Sequence, residues 1–173
     1  MPDTKDAIAL LKADHRLVED LFEKYENART ATQKAKLAEQ ICLELTVHTR
    51  IEEEIFYPAC RGEMEDDLVA EAFVEHDGAK VLLAEIEAAE PDEEYYDAKV
   101  MVLAEMIRHH VKEEERRSEG MFAQARKAGL DMEALGAEMA RRKAELTAEY
   151  RKGGLPAPET TTFHATRLEA RAA

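Results

Sequence analysis

The chain has 173 residues, enough for one well-buried core but few for two domains. It contains only 7 Gly and 5 Pro, and its abundant Ala, Leu, Glu and Lys favour an all-helical fold. The formal net charge of −14 disfavours nucleic acid and anionic membranes as partners, because both require a basic face. The apolar runs are far too short to span a bilayer, so we expect no membrane segment.

The first residues, MPDTKDAIALLKADH, lack the long apolar stretch and the cleavage site of a secretory signal peptide. The two cysteines, Cys42 and Cys60, have no CxxC spacing and predict two reduced thiols instead of a disulfide framework. These two features together predict a cytoplasmic protein.

Apolar residues recur at helical spacing in five stretches. The first begins at about residue 5, and the second ends near Pro58, because proline interrupts a helix interior. The third ends before Pro91, and the fourth runs to about residue 122. Four helices of similar length with short connections predict an antiparallel up-and-down four-helix bundle.

A fifth amphipathic stretch at about residues 131–150 predicts an additional helix, packed outside the bundle or extending its end. Residues 1–150 would then form one domain. The periodicity stops at Arg151, so residues 151–173 are predicted to be a flexible tail that carries His164.

Each of the first four predicted helices carries a histidine in its apolar stripe. His48 follows His15 by 33 residues and His110 follows His76 by 34, so the chain resembles two hairpins of one design. Residues equally far from the turn of an antiparallel hairpin lie at the same height, so the histidines of each hairpin should meet. The second histidine of each hairpin opens His-x-x-x-Glu, and residues i and i+4 project from one helix face. Six side chains should therefore converge: His15, His48, Glu52, His76, His110 and Glu114.

Burying these six groups without partners would be expensive. Each unpaired group costs about 1–3 kcal/mol, and six cost on the order of 10 kcal/mol, comparable to a whole domain's stability. Imidazole–carboxylate hydrogen bonds and water could recover part of this cost, but a metal site explains the pattern better. Nitrogen and oxygen donors without thiolate suit iron or manganese better than structural zinc.

Two carboxylates can each bridge two ions, which predicts a dinuclear centre. An oxo or hydroxo bridge between the ions would leave about two coordination positions for an exogenous molecule such as dioxygen or peroxide. The Glu-x-x-His pattern of ferritin-like di-iron proteins is absent from the sequence. HExxH is absent as well, which excludes that class of metalloprotease.

Four motifs resemble the hemerythrin-like HHE cation-binding family: DHR at 14–16, HTRIEEEIFYP at 48–58, EHD at 75–77 and HHVKEEE at 109–115. The resemblance extends from about Lys5 to about Tyr150. It implies a four-helix bundle around two non-haem iron ions, manganese being less favoured, with the six converging residues as metal ligands. It also implies binding or reduction of dioxygen or peroxide, in redox or oxygen sensing or in protection from oxidative stress. A catalase-like or peroxidase-like di-iron enzyme and an iron-buffering protein are the alternatives.

Several positions depart from the family pattern or are ambiguous. The family's oxygen carriers have His-x-x-x-His on the third helix, whereas Lys80 lies one turn after His76. We expect this loss to open a coordination position and make reversible oxygen storage less favourable. Lys80 could face the site or reach towards water, the latter being favoured. His110 continues the apolar stripe better than His109, which would lie off it as a solvated or supporting residue.

Three further carboxylates, Glu19, Glu53 and Glu113, occur near the level of the site. One of them could fill the lost coordination position, but acidic runs on helices usually point to water. Tyr57 and Cys60 follow the second motif, and redox roles for them are only weakly suggested.

Overall fold

A computed structural model describes residues 6–164 of the chain. Within this range the regular structure is helical, as predicted, and includes α1 (Ala7–Asn27), α2 (Ala31–Ile51), a π-helical turn (Glu52–Phe56), α3 (Tyr57–Cys60), α4 (Asp66–Ala88), α5 (Tyr96–Glu115), α6 (Met121–Lys127) and α7 (Met132–Gly153). Side-chain oxygens of Asp6, Thr30 and Asp131 cap α1, α2 and α7. Asp6 accepts from the N–H of Ala9 at 2.8 Å, and Asp131 caps α7 in the same way. None of the helices in the described range is long and apolar enough to cross a membrane.

Contacts at the helix ends define the topology. Tyr25, near the end of α1, donates to Asp97 at the start of α5 at 2.7 Å. His15, in the first half of α1, lies 2.8 Å from Glu115 at the end of α5, so the two helices are antiparallel. Lys34 at the start of α2 also reaches Asp97, which makes α2 antiparallel to α1. The predicted up-and-down bundle of α1, α2, α4 and α5 is therefore confirmed.

The apolar core consists of two clusters, one towards each end of the bundle. The first includes Leu11, Ile51 and Phe73, and the second includes Val18, Leu45 and Leu103. Along α1, α2 and α4, each histidine of the stripe lies between residues of the two clusters. A layer of polar groups thus crosses the middle of the bundle.

Helix α7 packs against the outside of α1 and α2. Met139 and Leu146 bury their side chains in the first apolar cluster. Arg142 also binds Glu54 of the π-helical turn, at 2.6 and 3.1 Å. The fifth helix is confirmed, and of its two predicted positions it takes the one outside the bundle. It ends at Gly153.

The fourth helix ends earlier than the sequence predicted. Helix α5 stops at Glu115, and α6 begins at Met121 after a tight turn. The N–H of Gly120 donates to the carbonyl of Arg116 at 3.1 Å, and a Cβ on Gly120 would lie 2.6 Å from that oxygen. Only glycine permits this approach. The helix therefore breaks between α5 and α6, although the apolar spacing of the sequence continues across the break.

The first part of the predicted tail makes defined contacts with the bundle. Residues 155–163, which we call the C-terminal strap, lie against α4. The buried carboxylate of Asp77 accepts hydrogen bonds from the backbone N–H groups of Thr161, Thr162 and Phe163 at 2.5–3.2 Å. His164 is exposed, as expected. Residues 165–173 of the predicted tail, and Lys5 at the expected start of the first helix, lie outside the described range.

Candidate metal centre

The polar layer in the middle of the bundle is made of side chains from all four bundle helices and the π-helical turn. None of its six side chains is more than 5 % exposed, and these are the predicted set: His15, His48, Glu52, His76, His110 and Glu114. Helix periodicity brings each glutamate to the level of the histidine one turn before it.

The first half of the layer joins α1 to α2. The rings of His15 and His48 meet edge to face, with centroids 4.9 Å apart. His48 Nε2 lies 3.2 Å from Glu52 Oε2, and His15 Nε2 lies 3.4 Å from Glu114 Oε2. Donor atoms of His15, His48 and Glu52 all lie within 4.8 Å of one another, close enough to share one cation.

The second half joins α4 to α5. His76 Nε2 lies 3.2 Å from His110 Nε2 and 3.3 Å from Glu52 Oε2. His110 Nε2 lies 3.5 Å from Glu114 Oε1. Donor atoms of Glu52, His76 and His110 again lie within 4.8 Å of one another, so Glu52 belongs to both groups. A carboxylate shared by two donor groups fits a pair of cations.

Several donor atoms in this layer lack partners that a cation would supply. Among residues 6–164, the buried atoms His15 Nε2, Glu52 Oε1 and Glu114 Oε2 make no hydrogen bond. Each such atom costs about 1–3 kcal/mol when it is left unsatisfied. These atoms all point into the same layer, so a bound metal ion would relieve their cost together.

The electrostatics of the layer also favour positive charge. Burial alone would lower the pKa of His15, but the neighbouring carboxylates of Glu114 and Glu115 outweigh it and raise the pKa to about 9. The pKa of His76 is likewise raised to about 9, because Glu52 and Glu53 outweigh burial. The pKa of Glu114 falls to about 2, since the charges of His110 and His15 outweigh burial there.

Each imidazole turns its Nδ1 away from the layer and towards a carboxylate. The four acidic residues concerned, which we call the backing carboxylates, are Glu115, Asp14, Glu53 and Glu75. The Nδ1–oxygen distances are 2.8 Å for His15–Glu115, 3.6 Å for His48–Asp14, 3.0 Å for His76–Glu53 and 2.6 Å for His110–Glu75. A carboxylate at this position favours the tautomer with a proton on Nδ1 and leaves the Nε2 lone pair free for a metal.

Sequence reasoning gave no place in the donor layer to Tyr57. Its hydroxyl donates to Glu114 Oε1 at 3.0 Å and lies 3.1 Å from His76 Nε2 and 3.4 Å from His110 Nε2. Burial and the charges of Glu114 and Glu52 raise its pKa well above 10, so the phenol keeps its proton. A phenol oxygen thus lies within the donor layer beside His76, where we expect an open coordination position.

The ammonium of Lys80 neither enters the donor layer nor reaches into water. It binds Glu53 at 2.8 Å and the carbonyl of Glu159 in the strap at 3.0 Å. Glu53 in turn contacts Nδ1 of His76. Lys80 thus binds a backing carboxylate, a position that the sequence analysis did not predict.

The other ambiguous side chains lie outside the donor layer. Glu19 binds Arg108 at 2.8 Å, and Glu113 binds Arg116 at 2.6 Å. The side chain of His109 is 62 % exposed, and its Nε2 lies 3.4 Å from Glu75. His109 is therefore a solvated neighbour of a backing carboxylate, while His110 lies in the layer.

A small cavity adjoins the four imidazoles on the side of the second apolar cluster. Its aliphatic walls are formed by Val18, Leu45, Ile107 and Val111. Phe122 of α6 stacks on His15 at 5.8 Å between ring centroids and covers the opposite side. The donor layer is thus closed off by apolar side chains.

The fold is similar to that of a crystallised hemerythrin HHE cation binding domain-containing protein from Mycobacterium kansasii. The TM-score is 0.74 at 24 % sequence identity, and the similarity covers 87 % of this chain and 95 % of that one. At this identity the likeness shows a shared fold.

A protein from Nostoc sp. strain PCC 7120 that is named a DNA nickase is 29 % identical to the chain over 106 residues. The match covers 61 % of this chain and 30 % of the Nostoc protein. The chain therefore spans less than a third of that relative's length. The name DNA nickase describes the Nostoc protein and gives this chain no activity.

The model of the hemerythrin HHE cation binding domain matches residues 6–122. This range includes all six side chains of the donor layer and Tyr57, and it ends before α7 begins. The chain belongs to the hemerythrin HHE cation-binding domain family.

Proposed function

We propose that this chain is a non-haem di-iron protein that binds or reduces dioxygen or peroxide, in redox or oxygen sensing or in protection from oxidative stress. The observation that carries this proposal is the convergence of six buried nitrogen and oxygen donors, several of them without any other partner among the described residues. A donor set without thiolate suits iron, and manganese less well.

The two donor groups suggest how two ions would be held. His15 and His48 would bind one ion, His76 and His110 the other, and Glu52 and Glu114 would bridge them, since each glutamate contacts both halves of the layer. Bound iron would supply electrons by cycling between its ferrous and ferric states.

The protein around the donors would select the ligand and handle protons. The aliphatic walls of the cavity beside the imidazoles favour a small molecule over an organic substrate and exclude bulk water. The hydroxyl of Tyr57 lies in the donor layer, and while it holds its proton it can donate a hydrogen bond to a small oxygen ligand. Dioxygen and peroxide fit both properties.

The direct test is the metal content and optical spectrum of the aerobically purified protein. We expect about two iron atoms per chain and charge-transfer bands typical of oxygen-bridged ferric ions. Replacing His48 or Glu114 with Ala should abolish both while most of the helicity remains. Glu113→Ala is the matched control, because Glu113 is the neighbour of Glu114 and pairs with Arg116 instead. Iron contents in the His48→Ala or Glu114→Ala variants equal to that of the control would contradict the ligand set.

A catalase-like or peroxidase-like enzyme is the second candidate, favoured by the buried hydroxyl of Tyr57 as a proton donor among the metal-binding groups. Steady-state peroxide consumption by the iron-loaded protein separates the two candidates. Many turnovers per site indicate an enzyme, whereas one or two indicate a binder or sensor. Tight binding of iron with no reaction towards dioxygen or peroxide would instead indicate iron buffering.

A further inference from the structure

The donor layer is surrounded by a second repeated pattern, in which each backing carboxylate is itself held by a cationic or titratable side chain. The pairs are Glu115 with Arg16, Asp14 with Lys143, Glu53 with Lys80, and Glu75 with His109. Three of these partners come from the bundle helices α1, α4 and α5. The fourth, Lys143, comes from α7, outside the range that the family model matches.

The contact through Lys143 differs from the other three. Asp14 is buried, and its Oδ1 is bound by the ammonium of Lys143. Its Oδ2 lies 3.6 Å from His48 Nδ1, the longest of the four imidazole–carboxylate distances. Within the described part of the chain, neither of these two atoms has a hydrogen-bond partner. Asp14 is therefore bound by Lys143 but makes no hydrogen bond to His48.

We propose that Lys143 is a positioning residue of the metal centre, acting on His48 through Asp14. This inference rests on the proposed function. The ammonium balances a buried carboxylate that would otherwise be unpaired, and it keeps that carboxylate on the Nδ1 side of the imidazole. The Nε2 lone pair of His48 is then directed into the donor layer. Helix α7 is thus part of the site, although it provides no ligand.

Metal release measures this role directly. The protein is loaded with ferrous iron without oxygen, and transfer of iron to a ferrous chelator is followed over time. Replacing a residue behind a metal-bound histidine typically costs about 10- to 100-fold in metal affinity. We expect Lys143→Met to release iron about tenfold faster than the wild-type protein, and Lys143→Arg to restore slow release.

Arg142→Met is the matched control. Arg142 is the next residue of α7 and also forms an ion pair with the bundle, but its partner Glu54 contacts no imidazole of the layer. If Lys143 only anchored α7, both variants would lower the unfolding temperature of the iron-free protein and release iron at the same rate. That result would overturn the assignment of Lys143.

A double substitution keeps the proposal testable if Lys143→Met alone folds poorly because Asp14 is left unpaired. In an Asp14→Asn background no carboxylate remains at this position for Lys143 to balance, so Lys143→Met should change the release rate by less than about twofold. An unchanged tenfold effect in that background would show that Lys143 does not act through Asp14. A wild-type protein that retains no iron would contradict both proposals, whereas retained iron with equal release rates contradicts only the role of Lys143.

Discussion

At the scale of single residues, the phenol of Tyr57 occupies space in the donor layer that an exogenous ligand could otherwise use. Its ring is buried and packs against Phe56 and Phe73, and its hydroxyl lies between the carboxylates and imidazoles of α4 and α5. A bound cation in the layer would compete with the phenol proton, because positive charge favours the deprotonated form. Tyr57 can therefore serve as a proton donor or as an additional oxygen ligand.

Tyr57→Phe separates the two roles. The aromatic ring keeps its packing, so we expect the fold to survive with a loss of about 1 kcal/mol from the missing hydrogen bonds. Azide should bind the iron-loaded variant about three- to tenfold more tightly, because the competing oxygen is gone. A phenolate-to-iron absorption band, present in the wild-type protein and absent from the variant, would identify Tyr57 as a ligand. Equal azide affinity in both proteins would show that the hydroxyl leaves the ligand position free.

The histidines of the donor layer were predictable and Tyr57 was not, for one physical reason. The positions of His15, His48, His76 and His110 follow from α-helical periodicity and from the matching lengths of two hairpins. Tyr57 lies five residues after Glu52, and in an α-helix such residues point in clearly different directions. The backbone N–H of Tyr57 donates to the carbonyl of Glu52, and this π-helical step turns both side chains inward. The sequence carries no evident signal for that step.

At the scale of the elements, apolar spacing predicted the bundle helices well but did not reveal the break between α5 and α6 or the contacts of the strap. Gly120 ends α5 through a close backbone approach that hydrophobic periodicity does not report. The strap shows no apolar periodicity. It is held to α4 by a carboxylate that binds its backbone N–H groups, and such contacts do not depend on the side chains of the strap. Contacts of this kind depend on the position of Asp77 in three dimensions, and residue types alone do not reveal them.

Asp77→Ala should release the strap. Asp77 accepts from three backbone N–H groups and from the hydroxyl of Thr162. With each hydrogen bond contributing about 0.5–1.5 kcal/mol, their loss should raise the open population by more than tenfold. A broad-specificity protease should then cut within residues 155–163 at least about tenfold faster, as measured by mass spectrometry.

Asp67→Ala is the control for this experiment, because Asp67 is an exposed residue in the first turn of the same helix. Its substitution should leave the cleavage rate unchanged. Equal rates in the Asp77→Ala and Asp67→Ala variants would mean that the strap is held by other contacts, such as the bond from Lys80 to the carbonyl of Glu159.

At the scale of the whole molecule, the donor layer divides the core into two apolar clusters. Each cluster stabilises its own end of the bundle, while the layer between them contains buried donor atoms without partners in the described range. The free energy of unfolding should therefore depend on whether a cation satisfies these atoms. The composition predicted one helical domain, but this division follows only from the histidines lying at a common level.

Loading with ferrous iron in the absence of oxygen should consequently raise the unfolding temperature. A ligand present at 100 times its dissociation constant stabilises the folded state by about 2.7 kcal/mol per site. For a chain of this length, each filled site corresponds to a rise of roughly 5–10 °C, measured by circular dichroism. Magnesium should produce almost no rise, because it prefers oxygen ligands and loses its water reluctantly.

His48→Ala should lose most of the iron-dependent rise in unfolding temperature. If wild-type protein unfolded at the same temperature with and without iron, the imidazoles and carboxylates would be satisfying one another, and the layer would be a polar core without a metal.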